Sequence, residues 1–215
     1  MTQAMEEPPP GARRALALRA LEPADLQSIL RCWNEAGRAL LARPALSAQA
    51  REVIHCQRRL CRELEELIAG QGALAVKLSA AFAGGWPQGI AAVEPLQRSS
   101  FIHYLVSAPW NALTARDVPD LRATRGAGVA LIEEAVRWSA ARGQEGLVTL
   151  EAIDDRCRGV YQHLGFVRSS LWERPGALPA GLYSPAEART RCWMQLDARR
   201  CGRFSALVCG GSRAA

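Results

Sequence analysis

Between Phe101 and Phe166 the chain passes through a strand, a glycine-containing loop, a helix, a second strand and a short helix, and this order constrains the fold most. The long helix is predicted because Leu131, Ile132 and Ala135 recur at helical spacing before Gly143. The predicted elements are strands over Phe101–Val106, Gly146–Ile153 and Phe166–Trp172, a long loop over Asn111–Thr124, and helices over Gly126–Arg142 and Asp154–Leu164.

Two helices and a group of short strands are predicted before this region. The first helix opens at Glu22-Pro23, because proline and acidic residues suit a first turn, and Gly37 is expected to kink or break it. Ser47 is the predicted N-cap of the second helix, which Gly70 ends. The remaining strands are predicted over Ala15–Leu21, Ala73–Phe82, Gln88–Val93 and Cys192–Leu196, with an antiparallel meander in the middle of the chain.

The ends of the chain lack such periodicity. Residues 1–13 are expected to be a flexible leader and residues 198–215 a basic, disordered tail, so one domain is predicted over 14–197. No run approaches the roughly 18 apolar residues of a membrane span. The first ten residues do not resemble a secretory signal. We therefore expect a cytoplasmic protein that does not bind membranes.

The distribution of charge argues against a nucleic-acid-binding protein, and the cysteine spacing argues against a metal-binding one. The net charge is +6, and every basic residue except Lys77 is arginine. The arginines are spread along the whole chain, whereas a nucleic-acid interface needs basic residues grouped with aromatics, so no nucleic-acid partner is expected. The seven cysteines form no C-x-x-C pair, and we expect reduced thiols and no metal.

A glycine pair marks the predicted entrance of the long helix. In Gly126-Ala127-Gly128 the missing side chains let a ligand approach the backbone, and the first helical N–H groups can bind a pyrophosphate. Such a pair is common and weak evidence by itself. The P-loop motif and the three-glycine dinucleotide motif are absent from the sequence.

A second motif raises the specificity. Tyr161-Gln162-His163-Leu164-Gly165-Phe166 resembles the Y-x-x-L-G-F signature of the GNAT superfamily of N-acetyltransferases. The segment from Arg125 to Ala130 resembles the acyl-CoA pyrophosphate loop of the same superfamily, [QR]-x-x-G-x-[GA]. The resemblance spans about residues 15–197 and is specific over about 101–170.

The resemblance implies an α/β fold with a mixed, twisted sheet of six to seven strands, flanked by helices and splayed open between the fourth and fifth strands to admit acetyl-CoA. Tyr161 resembles the general acid of the family. Asp154 departs from the asparagine common at its position, and it could cap a helix or contact the cofactor. The implied cofactor-binding residues are Leu105, Val106, Ser107, Arg125, Gly126, Ala127, Gly128, Val129, Ala130 and Asp154.

The general base has several candidates. His103 lies on the strand before the glycine loop, where relatives often carry a glutamate, and imidazole can accept a proton near neutral pH. Glu151 on the next strand is the second candidate, and a chain of water molecules is the third. His163 is expected to be exposed, and His55 on the second helix is expected to be structural.

These observations favour an acetyl-CoA-dependent N-acetyltransferase acting on a primary amine of a small molecule or peptide, as a monomer or homodimer. The alternative is a catalytically silent module that binds acyl-CoA as a sensor or docks a partner. Because the first two helices and the later loops carry no motif, the sequence does not identify the acceptor.

Overall fold

The computed structural model describes residues 15–70, 76–113, 120, 122–174, 176, 178–179 and 183–197. The predicted leader over 1–13 and the predicted tail over 198–215 lie outside the described residues, as do the first three residues of the strand predicted from Ala73. No helix within the described ranges is long and apolar enough to cross a membrane.

Seven strands and six helices are found in the described part of the chain. The strands are β1 (Ala17–Ala20), β2 (Lys77–Ala83), β3 (Trp86–Pro95), β4 (Ser100–Ser107), β5 (Val148–Ala152), β6 (Val167–Arg168) and β7 (Cys192–Leu196). The helices are α1 (Pro23–Leu41), α2 (Ala48–Gly70), α3 (Pro109–Ala112), α4 (Ala127–Ala141), α5 (Asp155–His163) and α6 (Pro185–Thr190).

All seven strands form one mixed sheet with the order β1-β2-β3-β4-β5-β7-β6. Strands β2, β3 and β4 are an antiparallel meander, as the short turns between them predict. Strand β1, which α1 and α2 separate from β2 in the sequence, pairs antiparallel with β2 at the edge of the sheet. Strand β5 is parallel to β4, and β7 is antiparallel to both β5 and β6. The predicted mixed sheet flanked by helices is confirmed.

The parallel pair is joined over a short length only. Strand β4 pairs with β5 from Ser100 to Ile102, although β4 continues to Ser107. A hydrogen bond between the hydroxyl groups of Ser99 and Thr149, 3.1 Å apart, ties the two strands near this end. The sheet is therefore closed at the start of β4 and open beyond Ile102, which confirms the predicted splay between the fourth and fifth strands.

Hydrophobic cores lie on both faces of the sheet. Helix α4 buries Leu131 and Ile132 against Ile102 and Leu150 on one face. Helices α1 and α2 bury Leu30, Trp33 and Leu64 on the other face, where Ile90 and Val106 meet them. A smaller cluster of Phe101, Ala188 and Trp193 covers the β5–β7 side of that second face. The helices thus hold each half of the sheet from both sides.

The helix starts follow the sequence closely. The Glu22 amide donates to the Asp25 carboxylate in a capping box at α1. The Ala50 amide donates to the Ser47 hydroxyl, which confirms Ser47 as the cap of α2. The predicted kink at Gly37 is wrong, because α1 runs unbroken to Leu41. A Cβ at Gly37 would lie 3.1 Å from Cδ of Arg58, so the glycine permits close approach of α2.

The structure differs from the prediction in three places. The strand predicted over Phe166–Trp172 pairs with β7 only at Val167 and Arg168, and a 3₁₀ turn follows at Leu171–Glu173. The Ser169 hydroxyl accepts the Leu171 amide and so favours the turn. Helix α3 lies partly in the loop predicted from Asn111, and α6 was not predicted at all.

Candidate active site

The open end of β4 carries backbone amides that β3 does not use. The Ala108 amide donates to the Gln88 carbonyl at 3.1 Å. Because hydrogen bonds alternate along an antiparallel pair, the amide of Val106 points toward β3, whereas those of Leu105 and Ser107 point away from it. Within the described ranges, Leu105 and Ser107 therefore offer amides that neither neighbouring strand uses, whereas the Val106 amide is used by β3.

The glycine loop lies beside this strand end. Gly126 is the N-cap of α4 and has φ of +94°, a left-handed conformation that favours glycine. The amides of Ala127, Gly128 and Val129 lie in the first helical turn and have no acceptor within the helix, whereas the Ala130 amide already donates to the Gly126 carbonyl. Arg125 is exposed immediately before the glycine.

Gly128 connects the loop to the strand. A Cβ added at Gly128 would have Leu105 Cδ2 as its nearest neighbour, at 3.9 Å, which is an ordinary van der Waals distance. The first turn of α4 thus faces the open end of β4 and leaves space next to its own backbone. Two sets of free amides, one from a strand and one from a helix, border the same opening.

Tyr161 lies on the face of the sheet that α4 covers. Its ring packs against the core that contains Leu105 and α4, with a centroid 5.5 Å from the ring of Phe166. Burial raises the pKa of the Tyr161 hydroxyl well above its ordinary value, and the nearby Cys157 and Asp154 act in the same direction. The hydroxyl is therefore protonated at neutral pH and can donate a hydrogen bond.

Asp154 caps α5. Its carboxylate accepts the Cys157 amide at 2.6 Å, and this bond lowers the pKa of Asp154. The carboxylate is charged at neutral pH and its Oδ1 is already engaged by the helix. Burial raises the pKa of the Cys157 thiol to about 12, so this cysteine is not an available thiolate nucleophile.

Three features define the architecture. The sheet contains an antiparallel meander, and the fifth strand runs parallel to the fourth but leaves it after three residue pairs. A helix that starts at a glycine lies beside the resulting gap. This is the architecture that the GNAT resemblance implies. No family model matches the sequence, and no curated protein is significantly similar to it.

Solved structures resemble this chain at low sequence identity. The PaiA N-acetyltransferase of Thermoplasma acidophilum, solved with coenzyme A, is 16% identical over 85% of this chain and 99% of its own, with a TM-score of 0.48. The ribosomal-protein-S18-alanine N-acetyltransferase of Escherichia coli is 15% identical over 85% and 94%, with a TM-score of 0.47. A GNAT-family acetyltransferase of Streptococcus pneumoniae is 18% identical over 85% and 99%, with a TM-score of 0.43.

On the other face of the sheet, His103 occupies a β-bulge. Ala92 pairs with Tyr104 and Val93 with Ile102, so His103 is the extra residue of β4. Its Nε2 atom lies 2.7 Å from Oε2 of Glu94, and its ring packs edge-on against Phe101. The side chain is only 3% exposed. Burial lowers the pKa of His103, and the hydrogen bond to Glu94 opposes this effect.

Glu151, the second predicted base, has both carboxylate oxygens engaged. The Tyr183 hydroxyl donates to Oε2 at 2.8 Å, and Arg191 donates to Oε1 at 2.7 Å. The Arg191 guanidinium also stacks over the Tyr183 ring. This arrangement ties the segment before β7 to β5 and leaves Glu151 as a charge-compensated structural group.

The remaining histidines and cysteines lie elsewhere. His55 and His163 are exposed on α2 and α5. The cysteines within the described ranges are all free thiols, and no group of three or more metal-ligating side chains occurs there. A groove of about 610 Å³ between α1 and α2 contains none of the predicted site residues.

Sequence reasoning missed Glu94, the partner of His103. Glu94 lies in a strand of small and apolar residues, and nothing near it in the sequence indicates that a bulge nine residues later brings an imidazole to it. It also missed Gln88, Asn111 and Thr124, whose mutual hydrogen bonds join three distant segments. Such contacts depend on strand register, which local spacing does not encode.

Proposed function

We propose that this protein is an N-acetyltransferase that transfers the acetyl group of acetyl-CoA to a primary amine. The observation that carries the proposal is the opening bordered by the free amides of Leu105 and Ser107 and by the first turn of α4 at Gly128. An extended pantetheine arm with amide groups suits a free strand edge, and a pyrophosphate suits an uncapped helix start.

The residues around the opening fit acyl-CoA in charge and in space. Residues 125–130 would hold the pyrophosphate: the amides of Ala127, Gly128 and Val129 donate to it, the left-handed Gly126 sets the turn, and the Arg125 guanidinium supplies positive charge. Ala130 would contribute shape only, since its amide is used within the helix. Asp154 would act through α5, which it caps, because its own charge repels phosphate.

The chemical step needs an uncharged amine and a stabilised thiolate. The amine nitrogen bonds to the acetyl carbon, the carbon–sulfur bond breaks, and the proton lost by the amine balances the one gained by the thiolate. One of the amides of Leu105 and Ser107 would donate to the oxygen that becomes negative in the transition state. The other would hold the pantetheine arm, because amides two residues apart on a strand are separated by about 6.8 Å and cannot both reach one oxygen. The Tyr161 hydroxyl would donate a hydrogen bond to the departing sulfur. Because burial raises its pKa, the hydroxyl stabilises developing charge on the sulfur better than it transfers its proton outright.

His103 is the proposed proton acceptor from the amine. Its lowered pKa keeps the imidazole neutral at pH 7, and Glu94 can stabilise the imidazolium once the proton arrives. Glu151 is a poorer choice because proton transfer to it would break an ion pair with Arg191. Since His103 is 3% exposed, a water molecule must relay the proton, or the acceptor must displace the groups that cover it.

The test combines CoA binding with turnover. Calorimetry should detect CoA binding to the parent protein, and Gly128→Val should weaken it at least tenfold, or about 1.4 kcal/mol, because a branched side chain would fill the space beside the helix start. A panel of primary amines should then yield thiol release from acetyl-CoA. Unchanged affinity in a folded Gly128→Val protein would overturn the assigned pyrophosphate site.

The same measurements separate the enzyme from a silent acyl-CoA-binding module. A module would bind CoA and lose affinity on Gly128→Val, yet it would release no thiol with any amine in the panel. Acetylated product identified by mass spectrometry would exclude the module, and an N-linked acetyl group would establish the type of acceptor.

A further inference from the structure

Gln88 is the centre of a buried polar network under the glycine loop. The residue is 0% exposed and lies on β3, near the end of the sheet where β4 meets α3. Its Oε1 accepts three hydrogen bonds, from Trp110 Nε1 at 3.3 Å, Asn111 Nδ2 at 2.8 Å and the Thr124 amide at 3.1 Å. Its Nε2 donates to the Trp86 carbonyl at 3.1 Å.

The Thr124 amide is held by two side chains at once. Besides Gln88 Oε1, it donates to Asn111 Oδ1 at 2.9 Å. Asn111 is in turn fixed by its Nδ2, which donates to both the backbone carbonyl and Oε1 of Gln88. Thr124 lies two residues before Gly126, so these bonds fix the chain just before the left-handed residue that starts α4.

The other side of the loop is held by packing. A Cβ at Gly89 would lie 3.2 Å from Leu131 Cδ1 and 3.4 Å from Ala127 Cβ, so β3 touches the first turn of α4 without room to spare. Two adjacent residues of β3 thus hold the loop. Gln88 accepts a hydrogen bond from the chain just before α4, and Gly89 packs closely against α4 itself. Together, the hydrogen bond and the close packing fix the orientation of the amides in the first turn of α4.

Apolar side chains of the same shape could in principle replace a buried polar network, but this sequence keeps the polar side chains. Replacing all the partners by apolar groups of the same shape can be neutral for stability, whereas a buried polar group without a partner is costly. The Thr124 amide cannot be replaced, and it therefore requires an acceptor under the loop. Two side-chain carbonyls meeting one amide give the loop a single position, which is the condition for a rigid anion site.

We propose that Gln88 and Asn111 are positioning residues for the acyl-CoA pyrophosphate, acting through Thr124 on the first turn of α4. This inference rests on the proposed function. Neither side chain needs to touch the cofactor: each holds the loop in the geometry that the cofactor requires, so that binding does not have to order it.

The experiment compares two buried glutamines. Gln88→Met keeps volume and removes the acceptor. Gln57→Met is the matched control, because Gln57 is 5% exposed on α2 and its Nε2 contacts Cys61 Sγ, away from the loop. Calorimetry with CoA, and competition with pantetheine, which lacks the pyrophosphate, should be run on both variants and on the parent protein.

Gln88→Met should weaken CoA binding about tenfold, in the range expected for losing a buried hydrogen-bond acceptor. Its affinity for pantetheine should stay within about twofold, and Gln57→Met should change neither affinity by more than about twofold. Equal losses for CoA and pantetheine, or equal losses in both glutamine variants, would reduce Gln88 to a general structural residue and overturn the inference.

If Gln88→Met does not fold, Asn111→Ala is the second variant, because Asn111 is only partly buried. It removes one of the two acceptors of the Thr124 amide and should weaken CoA binding about threefold, again with little effect on pantetheine. Unchanged CoA affinity in this variant would also overturn the inference. Absence of CoA binding to the parent protein would instead be a failure of the proposed function itself.

Discussion

Nε2 of His103 lies 2.7 Å from Oε2 of Glu94, and the two side chains are 3% and 10% exposed. The β-bulge at His103 brings this pair together, because the extra residue turns the imidazole toward the neighbouring strand. The pair couples a group that can change protonation near pH 7 to a buried carboxylate. Its chemistry can be tested independently of the cofactor site.

We expect Glu94→Gln to weaken His103 as a base. The amide can still accept or donate a hydrogen bond, but it does not stabilise an imidazolium, so the pKa of His103 should fall further. The acidic limb of the kcat/KM profile should move to lower pH and the plateau should drop, which a rate series between pH 5 and 8.5 would measure. His103→Gln should lower kcat by about 10² to 10⁴. A profile identical to that of the parent protein in both variants would leave His103 without a role as base.

The same histidine should make stability depend on pH. Burial lowers the folded pKa of His103 below the unfolded value of 6.5, so the unfolded chain binds the proton more readily. The free energy of unfolding should therefore be fully retained above pH 6.5 and decrease as the pH falls from there toward the folded pKa. Urea unfolding at pH 5.5 and 7.5 measures the difference, which His103→Gln should reduce. An equal difference in that variant would assign the effect to other groups.

Gly126 and Gly128 should respond oppositely to alanine. Gly126→Ala forces an L-residue into a left-handed conformation and should cost about 1 kcal/mol of stability. Gly128→Ala lies in a helix with space for a Cβ and should gain about 0.5–1 kcal/mol. Denaturant unfolding of the two variants provides the comparison. A loss at Gly128 as large as that at Gly126 would contradict the open space beside the first turn.

Tyr161→Phe should separate catalysis from binding. Phenylalanine keeps the packing against Phe166 and removes the hydroxyl, so CoA affinity should stay within a factor of a few. Turnover should fall by about 10² to 10⁴ if the hydroxyl assists departure of the thiolate. The two quantities should be measured on the same preparation, with melting as a check of the fold. Turnover within about threefold of the parent protein would exclude the general-acid role.

Much of the fold was predictable because its signals are local. The bounds of α4 lie within one residue of those predicted, since its apolar spacing and flanking glycines occur within one segment. The tyrosine motif and the glycine loop likewise gave the cofactor site its candidate residues. The strand predicted over Phe166–Trp172 failed because an apolar run does not reveal that the Ser169 hydroxyl will start a turn.

The hydrogen-bond partners of the candidate residues were harder to predict because they are distant in sequence. Gln88 meets Thr124 across 36 residues, and Glu151 meets Arg191 across 40. Each contact depends on how strands align, and a glutamine or glutamate in a strand carries no mark of its partner. The glycine loop and the tyrosine motif could be recognised in the sequence, whereas the hydrogen bonds among Gln88, Asn111 and Thr124 could be found only in the structure.

Because β4 is paired with β5 at one end only, a small change in the angle between the two strands moves the unpaired end of β4 by a larger distance. Ser107 lies five residues beyond Ile102, the last paired residue, or roughly 16 Å at about 3.3 Å per residue. A change of about 5° in the angle between the strands would therefore shift Ser107 by roughly 1.4 Å, and about 1 Å of misplacement can cost a hundredfold in rate. Under the proposed function, the hydrogen bond between Ser99 and Thr149 at the closed end would therefore affect the position of Ser107 at the opposite end of β4.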